Sequence, residues 1–387
     1  MKFSEYGAEV LKVERPNYGD ETRHWGPPYF EKENEDGKTT KMATYFISLN
    51  KNKQSICVDL SKLEGQQIIK KLASDCDVLI ENFIPGTMKK YGLDYDSIQG
   101  INKNIVYASL TGYGQTGPYI NRGGYDVIAG SIGGMFSITG TEGPNSKPIR
   151  PGVAITDICT ALYSHGAIMA ALMDVKNGSG GKWIQADLLA TQLSVNTYAA
   201  SAFLNAGVVG KRYGTAHPSI VPYQSFECKD GEWITVGGAN DSLYFELLDA
   251  IKTVVENENL DRLYRFEGNS VRVDNRAEII GNLTEIFLSE DLKCWIDAFG
   301  KSRFPHGAVN SMDKVFEDPQ VIHKKSVEVI PDSGISLVKH PITVGGGDCG
   351  VKSSSPPELG QNTRSVLKRF GYSEKEIGDL MEKKVIS

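Results

Sequence analysis

Asp157 is the carboxylate whose setting most suggests chemistry. It follows the loop RPGVAIT and precedes the apolar run ICTALYSHGAIMAALMDVK. At the start of a helix, with Thr156 as the expected cap, a carboxylate faces unpaired amides and the positive end of the helix dipole. That effect, up to about 1 kcal/mol, keeps it ionised. An ionised carboxylate is what nucleophilic acyl transfer requires. The same position also suits an ordinary first-turn charge, and on pattern alone that plainer reading weighs more.

Other candidates are weaker taken singly. Gly237 and Gly238 in VGGAND stand between a strand pattern and a helix pattern, where small residues let backbone approach a ligand. A strand-to-helix turn explains them equally well. NGSGGKW has no Ser or Thr after Lys182, so it fails as a nucleotide-phosphate loop, and GSIGGM at Gly130 sits inside a helical pattern. His165, two turns beyond Asp157, reads as a satisfied core histidine. His217, in the polar loop GTAHPSIVPYQ, is a candidate pocket residue. Arg15, Lys53 and Lys90 flank α/β turns where phosphate could sit, although each alone reads as surface charge. The sequence has no HExxH, Cys-x-x-Cys or GxSxG pattern, which argues against a metal hydrolase and against a Ser nucleophile.

The elements that must hold these residues are legible in outline. Val10 to Val13, SICVD (55–59), DVLIE (77–81) and IVYASL (105–110) have the β-branched character of buried parallel strands, and EGQQIIKKLAS supplies a crossover helix. The Asp157 helix is apolar nearly all round and is therefore expected to be buried. WIQADLL follows as a strand, and an Ala-rich helix runs on to about Asn205. From Pro222 the pattern changes to antiparallel strands joined by Lys-Asp-Gly, marking a smaller α+β domain. The stretch from Gly345 to Pro357 reads as a linker or surface loop.

With 387 residues the chain has room for two domains, and its net charge of -6 argues against a nucleic-acid partner. No apolar run reaches the roughly 20 residues a membrane helix needs, so no membrane association is expected. Cys57, Cys76, Cys159, Cys228, Cys294 and Cys349 are scattered and read as reduced intracellular thiols. The opening MKFSEYGAEVLKVERP has neither signal-peptide nor transit-peptide character.

Taken in order, GAEVLKVERP, NKNKQSICVDL, ENFIPGTMKKYGL, SLTGYGQTGPY, GGYDVIAGSIGGM, RPGVAITD, PYQSFECKDG and PPELGQNT resemble the class III CoA-transferases of the CaiB/BaiF type. RYGTAHPSIVPYQSF is similar to the branch acting on succinyl-CoA and glutarate. The resemblance implies an α/β fold with a Rossmann-like large domain (1–205, completed by 325–387), a smaller α+β domain (218–312), and an interlocked homodimer. It implies CoA transfer from succinyl-CoA to a dicarboxylic acid through an aspartyl-CoA thioester on Asp157. Tyr125 would lie near the reacting centre, and Gly237 with Gly238 would form a mobile shielding loop. Arg15, Lys53, Asn82, Phe83 and Lys90 would line the CoA site, and Arg122, Arg150 or His217 would hold the far carboxylate. No resident cofactor or metal is implied, CoA thioester being the substrate. A mitochondrial location follows from the resemblance alone, and otherwise a cytoplasmic one.

Two alternatives stay open. The acyl-CoA racemases share the fold but resemble Gly-His-Asp where this chain has Gly124, Tyr125 and Asp126. The resemblance also leads one to expect a first strand and an AGP-containing turn ahead of Gly7, where MKFSEY stands. A chain without them could serve as a non-catalytic CoA-binding or dimer-partner protein.

Overall fold

The computed structural model describes residues 2–33, 39–143, 145–331, 333–348 and 351–387. The chain forms two compact units. One comprises residues 1–133, 153–197 and 320–387, and the other residues 134–152 and 198–319.

In the first unit the β-branched runs form parallel strands. Val10–Glu14 pairs with Lys53–Cys57, and Val106–Thr111 lies between Val78–Glu81 and Lys182–Asp187. The helix Leu63–Ala73 turns Ile68, Ile69 and Leu72 inward, as their spacing predicts. These side chains pack with Ile56, Leu93, Tyr107 and the C-terminal Leu367, Ile377 and Val385. The last helix, Glu374–Glu382, begins with a complete capping box between Ser373 and Glu376. Near the N-terminus the short helix Lys2–Glu5 is anchored by Glu5, which pairs with the buried Lys51 at 3.2 Å; Lys51 also pairs with Glu328 at 3.1 Å.

The second unit is built on an antiparallel sheet, with Trp233–Gly237 between Tyr223–Glu227 and His306–Ala308. Phe226, Phe287, Trp295, Phe299 and Phe304 stack into its core. Arg272 is fully buried there, donating to the Val221 carbonyl at 2.9 Å and lying over the Tyr244 ring.

Several expectations need correction. The Ala-rich helix is two helices, Leu188–Val195 and Thr197–Ala206, broken where Thr197 takes a positive φ of 40°. The Gly-rich stretch opens with a tight hairpin, Thr343–Val344 against Gly347–Asp348, turning on Gly345 and Gly346, both with positive φ. Cys349 lies outside the described residues, and the other five cysteines are free thiols.

The Asp157 helix, Ile155–Lys176, departs furthest. At 22 residues it is long and apolar enough to cross a membrane by length and composition, contrary to the sequence reading. Nor is it wholly buried. Its inward stripe is Thr156, Thr160, Ser164, Ile168 and Ala171, set against the strands Val106–Thr111 and Lys182–Asp187. Ile158, Leu162, Tyr163, Met169 and Met173 are exposed. Composition reports how apolar a helix is, but the small residues decide which side can approach a sheet closely.

Candidate active site

Topology places Asp157 at the carboxyl edge of the sheet. Its helix follows the strand Val106–Thr111 in the chain and leads into the parallel strand Lys182–Asp187, so its N-terminus lies at the end where those strands finish. That edge is where ligands of open α/β sheets bind.

Thr156 is not the cap. Ala154 occupies the N-cap position without a side-chain acceptor, and Thr156 is a buried residue of the first turn. Asp126, the first residue of the helix Asp126–Ile132, takes over that role from elsewhere in the chain. Its Oδ2 accepts from Thr156 N at 2.8 Å and from Asp157 N at 3.2 Å. The Thr156 hydroxyl donates instead to Gln192 Oε1 at 2.7 Å. Gln192, fully buried, donates to Asn196 Oδ1 at 2.8 Å, and Asn196 donates to the Gly133 carbonyl at 2.7 Å. This chain of satisfied polar groups ties three helices together behind Asp157. Glycine spacing completes the arrangement: a Cβ on Gly124 would lie 2.4 Å from Gly112 Cα, so two glycines let the segment carrying Tyr125 and Asp126 cross the strand end.

The expectation that the helix terminus simply keeps Asp157 ionised is also corrected. Loss of water around the carboxylate, and secondly the charge of Asp126, push its pKa up to about 6. The residue retains an exposed face, open to an incoming substrate. Such a carboxylate is still mainly ionised at neutral pH and is more basic than an ordinary one, which suits a nucleophile.

Among the other predicted residues, Tyr125 is exposed and occupies the N-cap position of the Asp126 helix, next to the clamp on Asp157. Asn82 and Phe83 are exposed directly after the strand Val78–Glu81, with Phe83 N donating to Glu81 Oε2 at 2.8 Å. Lys90 is exposed at the end of the short helix Thr87–Lys90. A cavity of about 300 Å³ lies beside this segment, lined by Glu81, Lys89, Asp94, Tyr95, Ser109 and Trp183; Asp157 does not line it.

The parallel register does not bring the Arg15 and Lys53 backbones together. Lys53 pairs with Val10 while Arg15 follows Glu14, a separation of about 16 Å along the strands. Arg15 is exposed, its guanidinium 4.5 Å from the Tyr18 ring centre. Lys53 donates to Asn50 Oδ1 at 2.9 Å, and burial together with the Lys12 charge lowers its pKa to about 8. Arg122 is exposed over the Tyr119 ring at 3.8 Å.

Arg150, exposed, and His217, half-buried, belong to the second unit. His217 Nδ1 accepts from Ser219 N at 3.1 Å, which leaves Nε2 as the protonated nitrogen of the neutral ring. Gly237 and Gly238 are buried, their amides donating to the Pro305 and Pro222 carbonyls at 2.9 and 2.8 Å. This anchoring favours the strand-to-helix turn reading of the pair. His165 is not a satisfied core histidine: it is half-buried against Phe3 and Tyr6, and its Nε2 has no hydrogen-bond partner among the described residues.

Residues 1–363 match the model of CoA-transferase family III. The chain belongs to that family. Succinyl-CoA:glutarate CoA-transferase of Homo sapiens is 40% identical, the match covering 100% of this chain and 85% of that protein. The Mus musculus protein of the same name is also 40% identical, over 98% of this chain and 84% of its own length. The crystal structure of a CaiB/BaiF family protein from Brucella suis superposes with a TM-score of 0.81 at 34% identity, covering 95% of this chain and 93% of that one. As a family III CoA-transferase the protein is an enzyme that transfers CoA groups, and CoA thioesters are its substrates. Its mixed α/β fold with parallel sheets is that of the CaiB/BaiF structures.

Proposed function

We propose that this family III transferase moves CoA from succinyl-CoA to a dicarboxylic acid such as glutarate, through a covalent aspartyl-CoA thioester on Asp157. The names of its human and mouse relatives support the pair of acids. The observation that carries the mechanism is Asp157 itself, exposed at the head of a fixed helix and made more basic than an ordinary carboxylate.

The reaction begins with an Asp157 carboxylate oxygen attacking the thioester carbonyl of succinyl-CoA. The carbon–sulfur bond breaks, CoA leaves as thiolate and a mixed anhydride remains. The thiolate attacks the aspartyl carbonyl, and the anhydride carbon–oxygen bond breaks to release succinate. Glutarate then attacks the aspartyl-CoA thioester, expelling thiolate and forming a second anhydride. Attack of the thiolate on the glutaryl carbonyl yields glutaryl-CoA and regenerates the Asp157 carboxylate. No net proton transfer is needed, so the site has to position, polarise and exclude water rather than shuttle protons.

In this reading Tyr125 borders the reacting carbonyl, Arg15, Lys53, Asn82, Phe83 and Lys90 contribute to CoA binding, and Arg122 is the first-unit candidate for the acceptor's far carboxylate. The exposed apolar side chains of the Asp157 helix support a homodimer. The test is formation of glutaryl-CoA from succinyl-CoA and glutarate. Wild type is expected to form it and Asp157→Asn to lose turnover by at least about a thousandfold; equal rates would overturn the reading.

A further inference from the structure

Asp126 presents an arrangement that packing does not require. Its Oδ2 accepts from the amides of Thr156 and Asp157, which lie in a different segment and have no cap of their own. A neutral Asn of the same size could accept the same bonds through its amide oxygen. Instead two carboxylates share one helix terminus, which like-charge repulsion disfavours.

Building on the reading of Asp157 as nucleophile, we infer that Asp126 is a positioning residue of the transfer reaction, holding the turn that carries Asp157 and setting a fixed negative charge beside it. The geometric part works through the amide bonds. The electrostatic part works through the change in charge of Asp157 during turnover. Acylation neutralises Asp157 and so relieves the repulsion, as protonation does. Asp126 therefore favours the anhydride and thioester forms over the free carboxylate, and its share of the raised Asp157 pKa, second to loss of water, is the same effect seen with a proton. Of the charged groups on the strands and helices packed against this helix, Asp174 and Lys182 pair with each other near its far end, Asp187 at the end of the strand Lys182–Asp187 caps the next helix by accepting from Ala190 N at 2.7 Å, and Asp126 is the charge that acts on Asp157.

Asp126→Asn and Asp126→Ala separate the two parts. The measurements are the pH dependence of kcat/KM and, by intact mass, the fraction of enzyme in covalent form with succinyl-CoA. Asp126→Asn is expected to move the acid limb to lower pH and to reduce the covalent fraction. The limb should stop short of the ordinary carboxylate range, because loss of water contributes first. Asp126→Ala is expected to lower kcat by on the order of a hundredfold while KM for succinyl-CoA changes little. The position of a pH limb does not depend on how much enzyme is folded, so a destabilised variant still reports. An Asp126→Asn enzyme with wild-type limb and covalent fraction overturns the inference. If Asp157→Asn is inactive in the same assay, that failure is confined to Asp126; if Asp157→Asn turns over normally, the nucleophile reading fails and takes this one with it.

Discussion

The two carboxylates at the head of one helix set the pH behaviour of the reaction. Because burial and Asp126 push the Asp157 pKa up to about 6 and it attacks only when ionised, kcat/KM should fall as pH drops through about 6. A pH profile placing that limb in the ordinary range for aspartate would contradict the assignment. Folding responds in the opposite sense. A native pKa raised above the unfolded value means the charged form costs stability above about 6, a cost that disappears on protonation. The helix start at Asp157 was legible in the sequence because its loop-then-helix setting is local, although that pattern alone favoured an ordinary first-turn charge. Asp126 was not legible as its clamp, since the amides it accepts from are some thirty positions away and only the fold joins them. The glycines were half legible: Gly112 and Gly124 stood inside recognisable motifs, but that they are needed for two backbones to cross is visible only in space.

At the scale of elements, strands were easier to read than faces of helices. Val106–Thr111, buried on both sides, writes itself as an apolar run, and Val10–Glu14 falls where expected although it is only half-buried, with Val13 exposed. The Asp157 helix is apolar on every side, so its composition could not say that Thr156, Thr160 and Ser164 face inward while Leu162 and Met169 remain exposed. The edge of the first parallel pair depends on a polar network instead. Glu14, almost fully buried, accepts from Arg23 Nε and Nη2 at 2.8 and 2.7 Å and from Ser55 Oγ at 2.6 Å. Burial alone would raise the Glu14 pKa, yet Arg23, Ser55 and the Asp20 amide outweigh it and hold the carboxyl below its usual value. Its contribution is therefore present above the ordinary glutamate pKa and is lost as pH falls through the lowered one. Glu14→Ala, which strands the Arg23 charge, should cost about 3–5 kcal/mol in denaturant unfolding at neutral pH; a loss under about 1 kcal/mol would show that the network is dispensable.

At the scale of the whole molecule, the change of pattern at Pro222 falls inside the second compact unit, which already includes the chain from Tyr198. That residues 134–152 join it could not be read, because the Asp157 helix lies between them and the rest of that unit in the chain. Ile158, Leu162, Met169 and Met173 recur at helical spacing along one exposed face, as expected of a surface covered by a second copy. Light scattering should therefore give twice the chain mass of 42.4 kDa. Leu162→Asp combined with Met169→Asp should shift the protein toward the monomer; a wild-type monomer, or a variant that stays fully dimeric, would count against this face as the interface.

The central claim is that Asp157 carries the acyl group and then CoA. It is tested most directly by incubating the enzyme with succinyl-CoA, trapping with hydroxylamine and locating the adduct by peptide mass spectrometry. Wild-type enzyme should carry a hydroxamate on Asp157, and Asp157→Ala should carry none. Wild-type enzyme that forms glutaryl-CoA while Asp157 stays unmodified would contradict it.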